Sequence, residues 1–161
     1  MNAVAVVVVL IGLVASATAL GLFWRRTSGR IRADDGDTVI DVAGLAVGAV
    51  AGRHATLLQF STEVCAACRT TSVTLKAVAD LANADLANAD VTHVDMDVTH
   101  RADIASRFNL LQSPTTLILD GRGVVRARIG GAPRAAEVRA ELDRIITAGP
   151  RSTSTSAVAR T

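Results

Sequence analysis

Two cysteines, Cys65 and Cys68, flank a pair of alanines, and the chain has no other cysteine. Thiols at this spacing can close a small disulfide ring and reopen it by thiol–disulfide exchange. At the start of a helix, unpaired backbone N–H groups favour the thiolate, which is the reactive form. The pair therefore predicts redox chemistry, with Cys65 as the nucleophile and Cys68 as the thiol that resolves a mixed disulfide.

Regular elements are predicted on both sides of the cysteines. An apolar, β-prone run at residues 55–60 predicts a buried strand, and a segment without Gly or Pro predicts a helix over residues 65–81. Later patterns predict strands at residues 91–97, 115–119 and 124–129, a short helix at 102–108 and a closing helix after Pro133. This order predicts an α/β fold with one central mixed sheet and helices on both of its faces.

The N-terminal residues 3–24 contain no charged side chain. As a helix this run would span about 33 Å, enough to cross a hydrocarbon core. A cleaved signal peptide is the alternative, since Ala15-Ser16-Ala17 resembles a cleavage site, but no Lys or Arg precedes the run. We therefore predict a single transmembrane helix over residues 1–24 that contacts membrane lipid.

The arginines that follow the apolar run, at positions 25, 26, 30 and 32, favour the cytoplasmic side for the rest of the chain, without excluding the other side. Residues 25–49 are predicted as a linker with a short first strand at 39–42, and residues 50–148 as the folded domain. The Ser- and Thr-rich residues 149–161 are predicted to be a disordered tail. A net charge of +2 and an aromatic content of 2% argue against nucleic-acid binding.

The stretch from about residue 50 to 148 resembles the thioredoxin-like domains, including those tethered to bacterial membranes. Three motifs carry the resemblance: Cys65-Ala66-Ala67-Cys68 after a strand, Ser113-Pro114-Thr115 before the strand pair, and Gly130-Gly131 after it. The resemblance implies a thioredoxin-like central sheet and a cis peptide bond before Pro114, facing the disulfide. It also implies that Ser113, Pro114, Thr115 and Gly130 bind the substrate.

The chain departs from the thioredoxin pattern at three positions. Val64 stands where thioredoxins have Trp, Ala67 where they usually have Pro, and Gln59 where they have a buried Asp. In the family that Asp assists proton transfer at the second thiol, and a Gln side chain cannot accept a proton. Besides water, the candidates for a proton-transfer aid are therefore Gln59 itself, Glu63 and His93.

The predicted function is that of a membrane-anchored thiol–disulfide oxidoreductase, acting on protein or small-molecule disulfides and dithiols without a cofactor. Two alternatives remain at this point. One is a delivery module that holds copper or zinc through both thiolates and a histidine, for which the chain offers His54, His93 and His100. The other is an interaction domain that has lost turnover.

Overall fold

Helices and strands alternate, except where β4 leads directly to β5, along the part of the chain that the computed structural model describes, which comprises residues 2–27, 29–33, 38–45, 48–85 and 90–148. The helices are α1 (Ala3–Thr27), α2 (Val42–Leu45), α3 (Ala66–Asp85), α4 (Ala102–Arg107) and α5 (Ala135–Ala148). The strands are β1 (Ile31–Ala33), β2 (Ala55–Ser61), β3 (Val91–Asp97), β4 (Thr115–Asp120) and β5 (Val125–Gly130).

The strands form one five-stranded mixed sheet in the order β1-β5-β4-β2-β3. Strands β2 and β3 are parallel, because α3 crosses over between them. All other neighbours are antiparallel, and a tight turn joins β4 to β5. The prediction of a central mixed sheet flanked by helices is confirmed.

Apolar side chains cover both faces of the sheet and so hold the end of β2 in place. On one face Phe60 stacks on Phe108, with ring centroids 5.1 Å apart, within a cluster that also contains residues of β3 and α2. On the other face α3 and α5 pack through Leu75, Val138 and Leu142. Strand β2 is buried over its whole length except at its last residue, Ser61, as expected for a central strand.

The prediction of a first strand at residues 39–42 is wrong. Val39 forms only an isolated bridge with Val124, and Val42 begins the short helix α2. The first strand lies earlier, at Ile31–Ala33, inside the segment predicted as a linker, and it pairs antiparallel with β5. Three residues are too few to show an alternating pattern, and the strand exists because it covers the open edge of β5.

Helix α3 continues to Asp85, four residues beyond its predicted end, and includes the first copy of the repeated sequence Leu-Ala-Asn-Ala-Asp. Within that copy, Asn83 Nδ2 donates to the carbonyl of Val91 at 3.0 Å, and the Val91 N–H donates to Asn83 Oδ1 at 2.8 Å. The amide side chain thus satisfies the outer backbone groups at the start of β3. Most of the second copy, residues 86–89, lies outside the described residues, as does the predicted tail at 149–161.

Asp120 stabilises the β4–β5 turn, and replacing it tests this role. Its side chain, on a residue 7% exposed, accepts hydrogen bonds from the N–H groups of Arg122 and Val124 and lies 2.6 Å from Arg126 Nη2. Burial by itself raises the pKa of Asp120, but hydrogen bonds from Arg126 and the two amides outweigh it and lower the pKa. We expect Asp120→Asn to reduce the free energy of unfolding at pH 7 by about 2 kcal/mol in urea denaturation.

The pH dependence of this effect has a defined sign. Because the pKa of Asp120 is lower in the folded state than its unfolded value of about 3.9, the stabilisation is present above pH 4 and is lost as the pH falls further. The stabilities of the wild-type and Asp120→Asn proteins should therefore converge as the pH falls through the folded-state pKa of Asp120. The control is Asp103→Asn, at an exposed ion pair with Arg101, which should change stability little. Equal stability of wild type and Asp120→Asn at pH 7 would contradict the role.

Candidate active site

The two cysteines lie where β2 ends and α3 begins, and they are joined by a disulfide with their Cα atoms 5.2 Å apart. Cys65 immediately precedes α3 and is half-exposed, whereas Cys68 lies in the first turn and is 3% exposed. A substrate sulfur can therefore reach Cys65 from solvent, while the surrounding chain shields Cys68.

The backbone around Cys65 is arranged to stabilise negative charge on its sulfur. The N–H of Cys68 is shared between two acceptors of Cys65, with its nitrogen 3.1 Å from Sγ and 3.1 Å from the carbonyl oxygen. Helix α3 is 20 residues long and begins at Ala66. The positive end of its dipole, which is the N-terminal end, therefore lies at the cysteines. Both features favour a thiolate at position 65 when the disulfide is reduced.

A cleft of about 260 Å³ opens beside the disulfide, on the side of β3. Both cysteines line it, together with the polar and charged side chains of Ser61, Thr62, Glu63, Arg69, Ser72 and Asp95 and with Val73. Glu63 lies in the turn before α3, where it is exposed. It lines this cleft together with both cysteines.

The segment before β4 lies at the same end of the sheet. The peptide bond between Ser113 and Pro114 is cis. The next residue, Thr115, pairs with Phe60 at the end of β2 on one side and with Gly130 at the end of β5 on the other. The Gly131 N–H donates to the Pro114 carbonyl at 2.8 Å. The structure thus brings Ser113, Pro114, Thr115 and Gly130 together, next to the strand that leads to Cys65.

Gln112 belongs to this surface and was missed by the sequence analysis. A side chain added at Gly130 would collide with the amide nitrogen of Gln112, so this exposed amide occupies the space over Gly130. Position alone, directly before Ser113-Pro114, was the one signal that the sequence offered.

Two large apolar side chains next to these motifs are exposed. Val64, directly before Cys65, is 96% exposed, and Leu111, in the loop that leads to Pro114, is 85% exposed. Neither side chain contributes to the core of the domain. The surface around the disulfide is therefore partly apolar.

A polar pair, one residue buried and the other half-buried, lies behind Cys68. Gln59 is completely buried, and its Nε2 donates to the Cys68 carbonyl at 3.0 Å. Its Oε1 lies 3.2 Å from His93 Nε2, and because this oxygen can only accept, the histidine nitrogen must carry the proton. Burial lowers the pKa of His93; Asp95 opposes this effect and Lys76 adds to it. The neutral His93 thus fixes the orientation of the Gln59 amide.

The three residues predicted as proton-transfer aids therefore separate into two groups. Gln59 and His93 contact each other behind Cys68, whereas Glu63 lines the cleft beside the disulfide. No group of three or more His, Cys, Asp and Glu side chains within the described residues is placed to hold a metal ion. Within the described residues, the two thiols therefore lack the further ligand that the metal-delivery alternative requires.

The apolar part of α1, Ala3–Phe23, is long and apolar enough to cross a membrane, with a mean hydropathy of 2.7 and none of the window buried. A signal sequence at this position would share these properties. The side chains of Trp24, Arg25 and Arg26, at the end of the apolar run, lie outside the described set, whereas Arg30 and Arg32 are described and exposed.

The fold and the Cys-x-x-Cys pair define a thioredoxin-like redox domain. The family model described as Thioredoxin matches residues 48–144, which is more than half of the chain. The chain therefore belongs to the thioredoxin family, and with its cysteine pair it is a thiol–disulfide oxidoreductase.

Solved structures agree on the fold. Chloroplastic thioredoxin z is similar over 60% of this chain and 81% of its own, with 22% identity and a TM-score of 0.51. Thioredoxin-2, described as a component of the malaria parasite protein secretion machinery, is similar over 69% of this chain and 96% of its own, with 16% identity and a TM-score of 0.50. No curated protein matches the chain.

Proposed function

We propose that this protein is a membrane-anchored thiol–disulfide oxidoreductase in which Cys65 attacks and Cys68 resolves. The observation that carries the assignment is the unequal exposure of the two cysteine residues, combined with the N–H of Cys68 that lies 3.1 Å from Cys65 Sγ. One sulfur is accessible and electrostatically favoured as a thiolate. The other is buried one helical turn away, where only an intramolecular attack can use it.

The reductive half-reaction follows from this arrangement. The Cys65 thiolate attacks one sulfur of a substrate disulfide, so that a mixed disulfide forms and the other substrate sulfur leaves as a thiolate. Cys68 then loses its proton and attacks Cys65 Sγ, which releases the second substrate thiolate. The substrate gains two electrons, and the enzyme is left with the Cys65–Cys68 disulfide. In the oxidising direction, the same two exchange steps take place in the reverse order.

The surface formed by Gln112, Ser113, Pro114 and Gly130 is the proposed binding site for an extended substrate segment. It lies beside the start of β4, adjacent to the end of β2 that leads to Cys65. The exposed amide of Gln112 can donate to and accept from a substrate peptide group. We propose protein disulfides as the substrates, because these residues offer hydrogen bonds to a backbone rather than charge pairs to a small ligand.

Gln59 and His93 are proposed as positioning residues for Cys68. The Gln59 amide holds the Cys68 carbonyl, and His93 fixes the orientation of that amide. Neither residue takes the Cys68 proton in this proposal. That proton leaves to water or to the departing substrate thiolate, which replaces the role of the carboxylate found in other thioredoxins.

Anchoring by α1 is tested by membrane extraction. The protein should stay in the membrane pellet after an alkaline carbonate wash, with an intact N-terminus by mass spectrometry. Introducing two charges into the apolar run, Ile11→Lys with Leu13→Lys, should move most of the protein to the supernatant, since each charge costs about 2.5–3.5 kcal/mol at a helix centre. A shortened protein that begins near residue 18 would show signal cleavage and refute the anchor.

The proposed cytoplasmic orientation has a separate readout in the same cells. A membrane-impermeant thiol reagent should label Cys65 of the reduced protein only after lysis. Labelling of intact cells would place the domain on the other side and leave the anchor itself unaffected.

A further inference from the structure

The membrane-proximal segment joins the domain at its catalytic end. The Gly29 N–H donates to the carbonyl of Gly130 at 2.7 Å, and Ile31 pairs with Ile129 as β1 begins. Strand β5 ends beside the Pro114 segment, and because β1 runs antiparallel to it, β1 starts there. The direction of one short strand therefore determines which end of the domain faces the anchor.

The chain between the apolar run and this contact is short. The run ends at Phe23, the helix continues to Thr27, and Gly29 follows two positions later. Four helical residues span about 6 Å and two extended residues at most about 7 Å, so Gly29 lies within about 13 Å of the end of the apolar run. While β1 stays paired with β5, the catalytic end cannot move away from the bilayer surface.

The exposed residues at this end suit such a location. Arg30 and Arg32 lie on the tether, the segment of residues 28–33 between α1 and the end of β1. Both are exposed and can contact lipid phosphates. Val64 and Leu111 are the two exposed apolar side chains beside the active-site motifs. Their apolar surfaces are suited to packing against a membrane protein. The opposite end of the sheet, near Ala51, is about 20 Å away along β2.

We infer that the Cys65–Cys68 pair works at the lipid surface, on a cysteine pair that a membrane-embedded protein carries at the level of the headgroups. This inference rests on the proposed anchoring by α1. In the reductive direction the partner disulfide accepts two electrons and becomes two thiols, and Cys65–Cys68 becomes a disulfide. A second dithiol, of the type that reduces other protein disulfides, restores the reduced enzyme. In the oxidative direction all of these transfers are reversed.

The distance of Cys65 from the bilayer is the first test. In Cys68→Ser the sole cysteine is Cys65, which is labelled with a fluorophore in vesicles whose lipids carry nitroxide quenchers on their headgroups. The matched control is Ala51→Cys in the Cys65→Ser/Cys68→Ser background, since Ala51 is exposed at the far end of the sheet. We expect quenching at Cys65 to be at least threefold stronger. Equal quenching at the two positions would overturn the inference.

A longer tether should abolish this difference. Inserting about 20 Gly and Ser residues after Thr27 adds a mean reach of about 25 Å. Quenching at Cys65 should then fall to the level of the Ala51→Cys control. Quenching that stays strong in the extended protein would show that contacts other than the tether hold the site at the membrane, and would contradict the geometric argument.

The substrate class is tested with two transmembrane peptides that carry the same cysteine pair as a disulfide. One holds the pair at headgroup level, and the other holds it beyond a spacer of about 20 residues. The wild-type protein should reduce the first at least fivefold faster, and equal rates would overturn the substrate assignment. Protein that fails to float with the vesicles would instead refute the anchor, which separates the two failures.

Discussion

The Cys68→Ser protein is expected to remain covalently attached to its substrate. Cys65 can still attack a disulfide, but no second thiol displaces the substrate, so the mixed disulfide accumulates. Turnover should fall by about 10³-fold or more, because the intramolecular resolving step is lost. Adducts should appear on non-reducing gels of solubilised membranes and disappear on reduction. Mass spectrometry should locate every adduct at Cys65.

The Cys65→Ser protein is the matched control for this experiment. It retains one thiol, but Cys68 is 3% exposed and substrate disulfides cannot reach it in the folded protein. It should therefore lose turnover to the same extent and form no adducts. Equal trapping by the two variants would show that the sulfurs are interchangeable and would refute the assigned roles. Retained biological activity in Cys65→Ser would favour a non-catalytic interaction domain.

Replacing Gln59 by leucine is expected to affect both stability and the resolving step. The change keeps the volume of the side chain but removes its hydrogen bonds to the Cys68 carbonyl and to His93, and it leaves the half-buried His93 Nε2–H without an acceptor. Such losses reduce the free energy of unfolding by about 2–3 kcal/mol. We also expect the rate of mixed-disulfide resolution to fall about tenfold, since a misplaced thiol loses effective concentration.

Rapid-mixing kinetics separate the two steps of the reaction. In Gln59→Leu the attack by Cys65 should keep its rate, because Cys65 accepts from a backbone N–H that the substitution does not remove. A purely structural role for Gln59 would slow both steps together or neither. Loss of stability without any change in resolution would therefore contradict the positioning role.

Thr116 provides the matched control for Gln59. It is the direct neighbour of Gln59 on β4 and is equally buried, yet its hydroxyl has no hydrogen-bond partner within the described residues. Thr116→Val keeps the shape and removes an unsatisfied polar group, so it should leave stability unchanged or slightly higher and both rates unchanged. A large effect of Thr116→Val would mean that any change at this layer of the core disturbs Cys68.

Local sequence patterns were sufficient to predict the elements around the cysteines. The apolar run before Cys65 is a central strand, and the alternation in the last strand gives Val125, Ala127 and Ile129 buried with the arginines between them half-exposed. Such periodicities are local, because each follows from one element that buries one face. The predicted order of strands and helices was therefore enough to predict the mixed sheet.

Contacts between residues far apart in the chain were decided only by the tertiary structure. Gln59 and His93 meet because β2 and β3 are parallel in one particular register, and nothing in either segment alone specifies that register. Gln112 lies over Gly130 because the loop before β4 folds across the end of β5.

The sequence by itself was enough to predict the chemistry of this protein, since two thiols at this spacing between a strand and a helix are suited to disulfide exchange. Only the pairing of β1 with β5 decided which end of the domain the N-terminal segment joins. Three residues with one half-buried side chain carry no periodic signal, and they become a strand only because β5 presents unpaired backbone groups to them. That pairing places the start of the tether at the catalytic end of the domain.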